Sequence, residues 1–233
     1  MNAPLLYPSL MCMSPLEVRR DLEVICRSFD GVHVDIMDGH FCKSIYLSPA
    51  FVEAIRPVCT VPIDVHLMVE SPIDFLEDLA RYGADSITIH IESVVRDAHR
   101  MIDRLRASDV GVGIALCPTT PLSAVEDLLA LVDMVNVLAV DPGFIGQEMT
   151  LSTPSRVKRL VTMREELDAD YLIQVDGGVR SANFFSLANA GTDCFVLGKG
   201  ALFARRDNLE AACSDTLAEF RPSSPLAAGR DDD

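Results

Sequence analysis

At 233 residues, with 49% hydrophobic side chains and a mean hydropathy of +0.23, the chain holds enough apolar material for one large core, which excludes global disorder. A formal net charge of −15 and an isoelectric point near 4.6 argue against nucleic acid or an anionic membrane as partner, so an anionic small molecule needs a locally built site. Seven cysteines, odd in number and without a Cys-x-x-Cys pair, sit mostly among apolar neighbours, the habit of reduced buried thiols in a cytoplasmic protein.

Short apolar or β-branched runs alternate with longer helical patterns along the whole chain. Strands are expected at 5–11, 31–37, 62–68, 85–91, 110–116, 134–140, 171–176 and 193–198. Helices are expected between and after them, at 15–29, 49–57, 72–83, 95–108, 121–132, 154–168, 181–191 and 208–220. Several of these open on Ser-Pro or Thr-Pro, and two stop at Gly83 and Gly191. Eight strand-then-helix units with near-continuous apolar strands imply a parallel sheet covered by helices. At this length a closed (β/α)8 TIM barrel of the α/β class is favoured over an open doubly wound sheet, and the first βα turn has no Gly-x-Gly-x-x-Gly. Residues 1–220 read as a single barrel domain and 221–233 as a disordered acidic tail. The opening MNAPLLYPSLM lacks a basic region followed by a long apolar one, and no run nears the roughly 18 apolar residues of a membrane helix, so no membrane partner is expected.

Four residues able to bind one divalent cation lie near the ends of three expected strands. They are His33 and Asp35 in GVHVDIMDGHF, His66 in IDVHLMVE and Asp176 in LIQVDGGV. Residues i and i+2 of a strand share a face, so His33 and Asp35 aim together. A lone histidine in an apolar strand is more often a hydrogen-bonded core residue, but a buried aspartate is costly unless it is paired or metal-bound. Two imidazoles with two carboxylates suit one divalent ion such as Zn, Mn, Fe or Co, with Mg the remaining choice. In such barrels the active site lies at the C-terminal ends of the strands, where these residues fall. His90 and Glu92 read equally well as supports of the ligands or as ordinary polar positions, while Asp64, nearer the start of its strand, reads as structural. Asp38, Gly39 and His40 read as a turn, and His99 as a solvated helix residue.

Glycine turns form a second constellation. Asp141 to Gly146 follows strand six, Gly177-Gly178 follows strand seven, and Gly198-Lys199-Gly200 follows strand eight. Converging backbone N–H groups without nearby Cβ atoms suit a phosphate, and the loops after strands seven and eight are its frequent place in barrels.

At these residues the chain resembles the ribulose-phosphate 3-epimerase family. The matching segments are PSLM, VHVDIMDGHF, DVHLMVE, GADSITIHIE, PTTPL, VDPGFIGQ, VDGGV and VLGKGALF, in the family's order and spacing from residue 8 to about 203. SLMCMSPLE and the Asp of VDPGF are nearest the D-allulose-6-phosphate 3-epimerase branch, whereas VDGGV is similar to the ribulose-phosphate branch. The resemblance implies metal-dependent inversion at C3 of a phosphorylated 2-ketose, with allulose 6-phosphate ranked slightly ahead of ribulose 5-phosphate. It places the metal on His33, Asp35, His66 and Asp176, and gives Ser9 and His66 substrate contacts. It assigns phosphate to the turn Gly143, Phe144, Ile145 and Gly146, to Gly177 and Gly178, and to Gly198 and Lys199. It also implies a homo-oligomer. Cys42-Lys43-Ser44 stands where Val-Pro-Asn is usual, Cys117 where Asn precedes Pro, Leu138 where a Met often lines the site, and Lys199 in place of a small residue. These departures touch the substrate end and spare the ligands.

Inverting a carbon beside a carbonyl needs a proton removed from one face and returned to the other. Asp35 and Asp176, from non-adjacent strands, are the expected base and acid, the metal neutralises the enediolate, and Met37 and Met68 form an apolar wall. The rival readings are a metal hydrolase, a ribulose-5-phosphate 3-epimerase as the main activity, and a non-catalytic barrel.

Overall fold

A computed structural model describes residues 3–204 and 208–221; the expected acidic tail, apart from Arg221, lies outside the described residues. Eight parallel strands carry the fold: β1 (Leu5–Pro8), β2 (Val32–Asp38), β4 (Ile63–Met68), β5 (Ser86–His90), β6 (Gly111–Leu116), β7 (Met134–Leu138), β8 (Leu172–Asp176) and β9 (Cys194–Leu197). The sheet runs β1-β9-β8-β7-β6-β5-β4-β2, and a bridge from Ser9 to His33 joins its first and last strands. The result is a closed (β/α)8 barrel. A ninth strand, β3 (Ile45–Tyr46), pairs antiparallel with the end of β2 and was not legible in the sequence.

Helices cover the outside: α1 (Val18–Ser28), α2 (Pro49–Ile55), α3 (Ile73–Arg81), the single turn α4 (Ile91–Val94), α5 (Ala98–Arg106), α6 (Thr153–Glu166), α7 (Ser181–Ala190) and α8 (Leu209–Phe220). Each longer helix buries one apolar stripe, as with Met101, Ile102 and Leu105 on α5 or Val157, Leu160 and Met163 on α6. Truncating one such side chain, for example Leu160→Ala, costs about 2–5 kcal/mol. The helix expected at 121–132 is instead two 3-10 segments, Leu122–Ala124 and Glu126–Leu131, with Val125, Leu128 and Leu129 still buried. The 3-10 winding rises ~2.0 Å per residue rather than ~1.5 Å, so the same residues cover more of the barrel wall. Gly191 ends α7 at φ +104°, as its sequence position suggested.

Inside the barrel the strands are not uniformly apolar. Val32, Val34, Ile63, Val65, Ile87, Ile89, Val135 and Val137 are all fully buried. The alternate positions carry His33, Asp35, Asp64, His66, Thr88, His90, Asn136 and Gln174, equally buried but polar. Gln174 on β8 reaches across to Asp64 on β4, so this polar set shares one interior. At the N-terminal end of the strands, four aspartates each take an amide from the first two residues of a neighbouring strand. Asp30 accepts from the Leu6 N–H (2.9 Å), Asp85 from Ile63 (2.7 Å), Asp133 from Val112 (2.7 Å) and Asp193 from Ile173 (2.9 Å). Three of them also hold an arginine: Arg221, Arg56 and Arg164 respectively for Asp30, Asp85 and Asp193.

Candidate active site

His33, Asp35, His66 and Asp176 converge at the C-terminal end of the barrel, each offering one ligand atom, and these atoms all lie within 4.8 Å of one another. Strand register brings them together. In the β2–β4 pair Asp35 sits opposite His66 and His33 opposite Asp64, while Asp176 closes β8 across the interior. His33 Nε2 is 3.4 Å from Asp35 and 3.7 Å from Asp176; His66 Nδ1 is 3.6 Å and 3.2 Å from the same two carboxylates. Both nitrogens are buried and neither has a hydrogen-bond partner. Ligand atoms about 2.1 Å from one shared cation stand ~3.0–3.4 Å from each other, close to the spacing seen here. Two orphaned imidazole nitrogens facing two carboxylates at that spacing fit a divalent metal ion.

The second nitrogen of each imidazole is occupied, and this sets the tautomers. His33 Nδ1 is 2.8 Å from Asp64, which also accepts from Ser86 Oγ (2.7 Å) and Gln174 Nε2 (2.9 Å). His33 therefore donates through Nδ1 and keeps the Nε2 lone pair for the site. His66 Nε2 meets His90 Nε2 at 2.9 Å, and His90 Nδ1 meets Glu92 at 2.9 Å. Glu92 in turn accepts from the Cys117 N–H at 2.8 Å and from the Thr120 hydroxyl. Donation running from His66 to His90 to Glu92 satisfies every member and leaves His66 Nδ1 free to face the site.

The electrostatics call for a cation. Burial raises the Asp35 and Asp176 carboxyls, yet His33 and His66 outweigh it and hold both below the ordinary carboxylate range. Burial alone lowers the two imidazoles, but the aspartates around them lift both above the usual value. His90 differs: burial, with His66 beside it, brings it down to about 4 against the pull of Glu92, so it bridges as a neutral ring.

A cavity opens above this cluster, and Ser9, Asp35 and Asp176 line its floor whereas His33 and His66 do not. The two carboxylates reach the cavity and the two imidazoles stay beneath. Ser9 Oγ donates to Asp35 at 2.6 Å. Met37, Met68 and Leu138 form apolar walls, and the turn Gly143, Phe144, Ile145 and Gly146 lines one side. Gly177, Gly178, Gly198 and Lys199 line the other, with Arg180, which the sequence reading did not single out. Gly178 sits at φ +67° and a Cβ there would stand 2.5 Å from the Met149 nitrogen, so only glycine fits this turn. The unusual 42–44 segment touches the same site from outside: Ser44 Oγ donates to the Gly143 carbonyl at 2.5 Å.

The structure thus brings every expected site residue to one cavity or, for His33 and His66, to the cluster beneath it. Asp64 is structural, as expected, but it works by holding His33. Gln174 was missed, although a buried glutamine two residues before Asp176 in an apolar strand is itself a signal. His99 is exposed on α5, and the Asp38 carboxylate accepts from His40 and Phe41 to shape its turn, both as expected.

The family model described as the ribulose-phosphate 3 epimerase family matches residues 5–203. The chain belongs to that family. It is 43% identical over 167 residues to the ribulose-phosphate 3-epimerase of Treponema pallidum, covering 72% of this chain and 76% of that one. It is 36% identical over 222 residues to the enzyme of the same name from Rhodobacter capsulatus, covering 94% and 95%. The fold is similar to tryptophan synthase from Pyrococcus furiosus (TM-score 0.68, 15% identity, 94% and 99% covered) and to KGPDC from Streptococcus mutans (0.65, 14%, 94% and 98%). At those identities the likeness shows the barrel alone. Members of the family are carbohydrate epimerases of the isomerase class, and their substrates are phosphorylated sugars. Among the described residues, no helix is long and apolar enough to cross a membrane.

Proposed function

We propose that this chain inverts C3 of ribulose 5-phosphate reversibly, giving its 3-epimer, xylulose 5-phosphate. The observation that carries the reading is the division of the cluster: Asp35 and Asp176 line the cavity while the histidines lie below it. Asp35 takes the C3 proton from one face and Asp176 is the group through which one returns on the other, with the roles exchanged in the reverse direction. Ser9 holds Asp35 through its 2.6 Å hydrogen bond and fixes which carboxylate oxygen faces the sugar. His33, Asp35, His66 and Asp176 would hold a divalent ion, which would supply neutralisation of the negative charge that develops on the sugar oxygens. Two imidazole donors favour Zn, Mn, Fe or Co over Mg. The Gly143–Gly146, Gly177-Gly178 and Gly198-Lys199 turns hold the phosphate and anchor the end of the sugar remote from C3. A homo-oligomer in the cytoplasm belongs to the same proposal.

The relatives bearing the ribulose-phosphate name support a ranking of ribulose 5-phosphate ahead of allulose 6-phosphate, against the order suggested by SLMCMSPLE and VDPGF. A panel of pentulose and hexulose phosphates, followed by NMR for inversion at C3, tests the reaction and the sugar together. Release of inorganic phosphate in place of inversion would favour a metal hydrolase. Equal turnover of the unphosphorylated sugar would remove the phosphate role of the glycine turns.

A further inference from the structure

Two cysteines 33 positions apart in the chain meet at the end of the barrel away from the cavity: Cys26 Sγ and Cys59 Sγ are 3.6 Å apart. Cys26 lies in the last turns of α1 and is partly exposed; Cys59 lies in the connection from α2 to β4 and is buried. The position of Cys59 is set by its surroundings. Its N–H donates to the Ile55 carbonyl at 2.8 Å, and its thiol also reaches the Val61 carbonyl at 3.5 Å. Arg56 clamps the same segment, donating to the Cys59 carbonyl and, at 3.0 Å, to the Val61 carbonyl, while its other nitrogen holds Asp85 at 2.8 Å.

The pair is chemically unequal. The Cys59 thiol beside it, the Thr60 and Val61 amides and the Arg56 guanidinium favour a thiolate on Cys26 against the effect of burial. The same contact and burial push the Cys59 thiol up. A partly exposed thiolate with a thiol in contact behind it is the arrangement of an attacking and a resolving cysteine.

We propose that Cys26 and Cys59 are a reversible oxidation site for hydrogen peroxide, closing to a disulfide that ties α1 to the segment entering β4. The Cys26 thiolate attacks one peroxide oxygen; the O–O bond breaks, hydroxide leaves and takes up a proton, and Cys26 becomes a sulfenic acid. Cys59 then attacks the Cys26 sulfur, the S–S bond forms, the S–O bond breaks, and water leaves with the Cys59 proton. Two thiols and one peroxide give one disulfide and two waters, the two electrons passing from sulfur to oxygen. The sulfurs close from 3.6 Å to about 2.05 Å, a movement the connection between α2 and β4 must supply. Both cysteines lie near the N-terminal starts of β2 and β4, so the bridge cross-links the scaffold and leaves the cavity unchanged.

The test treats the zinc-loaded full-length protein with a small excess of hydrogen peroxide. Thiols titrated in denaturant fall by two from seven, and peptide mass mapping shows Cys26 joined to Cys59 with the loss of two hydrogens. Tm rises by on the order of 5 °C, kcat stays within twofold, and dithiothreitol reverses the change. Cys59→Ser stops at Cys26 sulfenic acid, trapped by dimedone, and Cys26→Ser forms neither. Should either variant fail to fold, the mass map of the unmodified chain still decides. All seven thiols remaining, a disulfide joining other cysteines, or direct over-oxidation of Cys26 to sulfinic acid would each overturn the proposal.

Discussion

Aspartates serve the two ends of this barrel in opposite ways. At the N-terminal end, Asp30, Asp85, Asp133 and Asp193 each receive a strand amide, and three of the four add an arginine. Their donors come from the protein itself, so they hold neighbouring strands together and ask for nothing more. At the C-terminal end, Asp35 and Asp176 face imidazole nitrogens at 3.2–3.7 Å that have no hydrogen-bond partner. Here the protein assembles acceptors and leaves the cation to come from outside. A satisfied carboxylate contributes to stability, whereas a carboxylate held short of the imidazoles it faces keeps free energy for a ligand and a proton.

The largest expected effect breaks the contrast at the cavity end. Asp35→Asn or Asp176→Asn lowers kcat by at least ~10²-fold, measured on protein whose metal content has been verified. Solvent deuterium exchange at C3 then separates ligand from proton carrier: a variant missing one acid still exchanges the proton of one epimer without inverting it. Survival of exchange and inversion together in both variants would assign the proton to other groups, with His66 or His90 next.

Asp64 lies between the two ends and sharpens the comparison. Asp64→Ala leaves His33 Nδ1, Ser86 and Gln174 without their acceptor in a fully buried site. Metal affinity falls by about 10–100-fold because His33 is free to turn, and stability drops by about 1–3 kcal/mol. Titration with Zn against a chelating dye and chemical denaturation read the two effects separately; unchanged affinity would mean that His33 is held by packing alone.

At the opposite end, Asp193→Asn weakens the bonds from the Ile173 amide and Arg164, and it costs about 1–2 kcal/mol given their partial exposure. Denaturation midpoints detect the loss while kcat stays unchanged. A fall in kcat with unaltered metal content would erase the distinction between the two ends.

The smallest effect is one of pH. Backbone amides of Glu70, Phe41 and His40 hold the Asp38 carboxyl below its ordinary value, outweighing burial. A folded-state value below the unfolded one gives stability that is complete above the unfolded value, near 3.8, and is lost as pH falls through the folded value. The stability gap between the protein and Asp38→Asn is therefore present at neutral pH and closes in acid below that point, measured by urea denaturation across pH. A gap that widens in acid would reverse the sign.

Much of this was legible in the sequence because it rests on local rules. Short apolar or β-branched runs located eight strands and period-3.6 patterning seven of eight covering helices, and the i, i+2 spacing placed His33 and Asp35 on one face before any contact was known. Buried aspartates at strand ends pointed to a metal because an isolated carboxylate cannot be buried without a partner. Tertiary structure alone decided the rest. The tautomers of His33 and His66 depend on Asp64 of β4 and His90 of β5, the latter held in turn by Glu92 of α4. Gln174 meets Asp64 across 110 positions of chain, and Cys26 meets Cys59 across 33. The 3-10 winding of Leu122–Ala124 and Glu126–Leu131, where a continuous helix was expected, is visible only in the fold. That only the carboxylates look into the cavity is likewise a property of barrel closure, since it depends on how far each side chain rises above the ring of strands. Spacing along a chain fixes which side chains share a face; the distance between faces exists only once the barrel has closed.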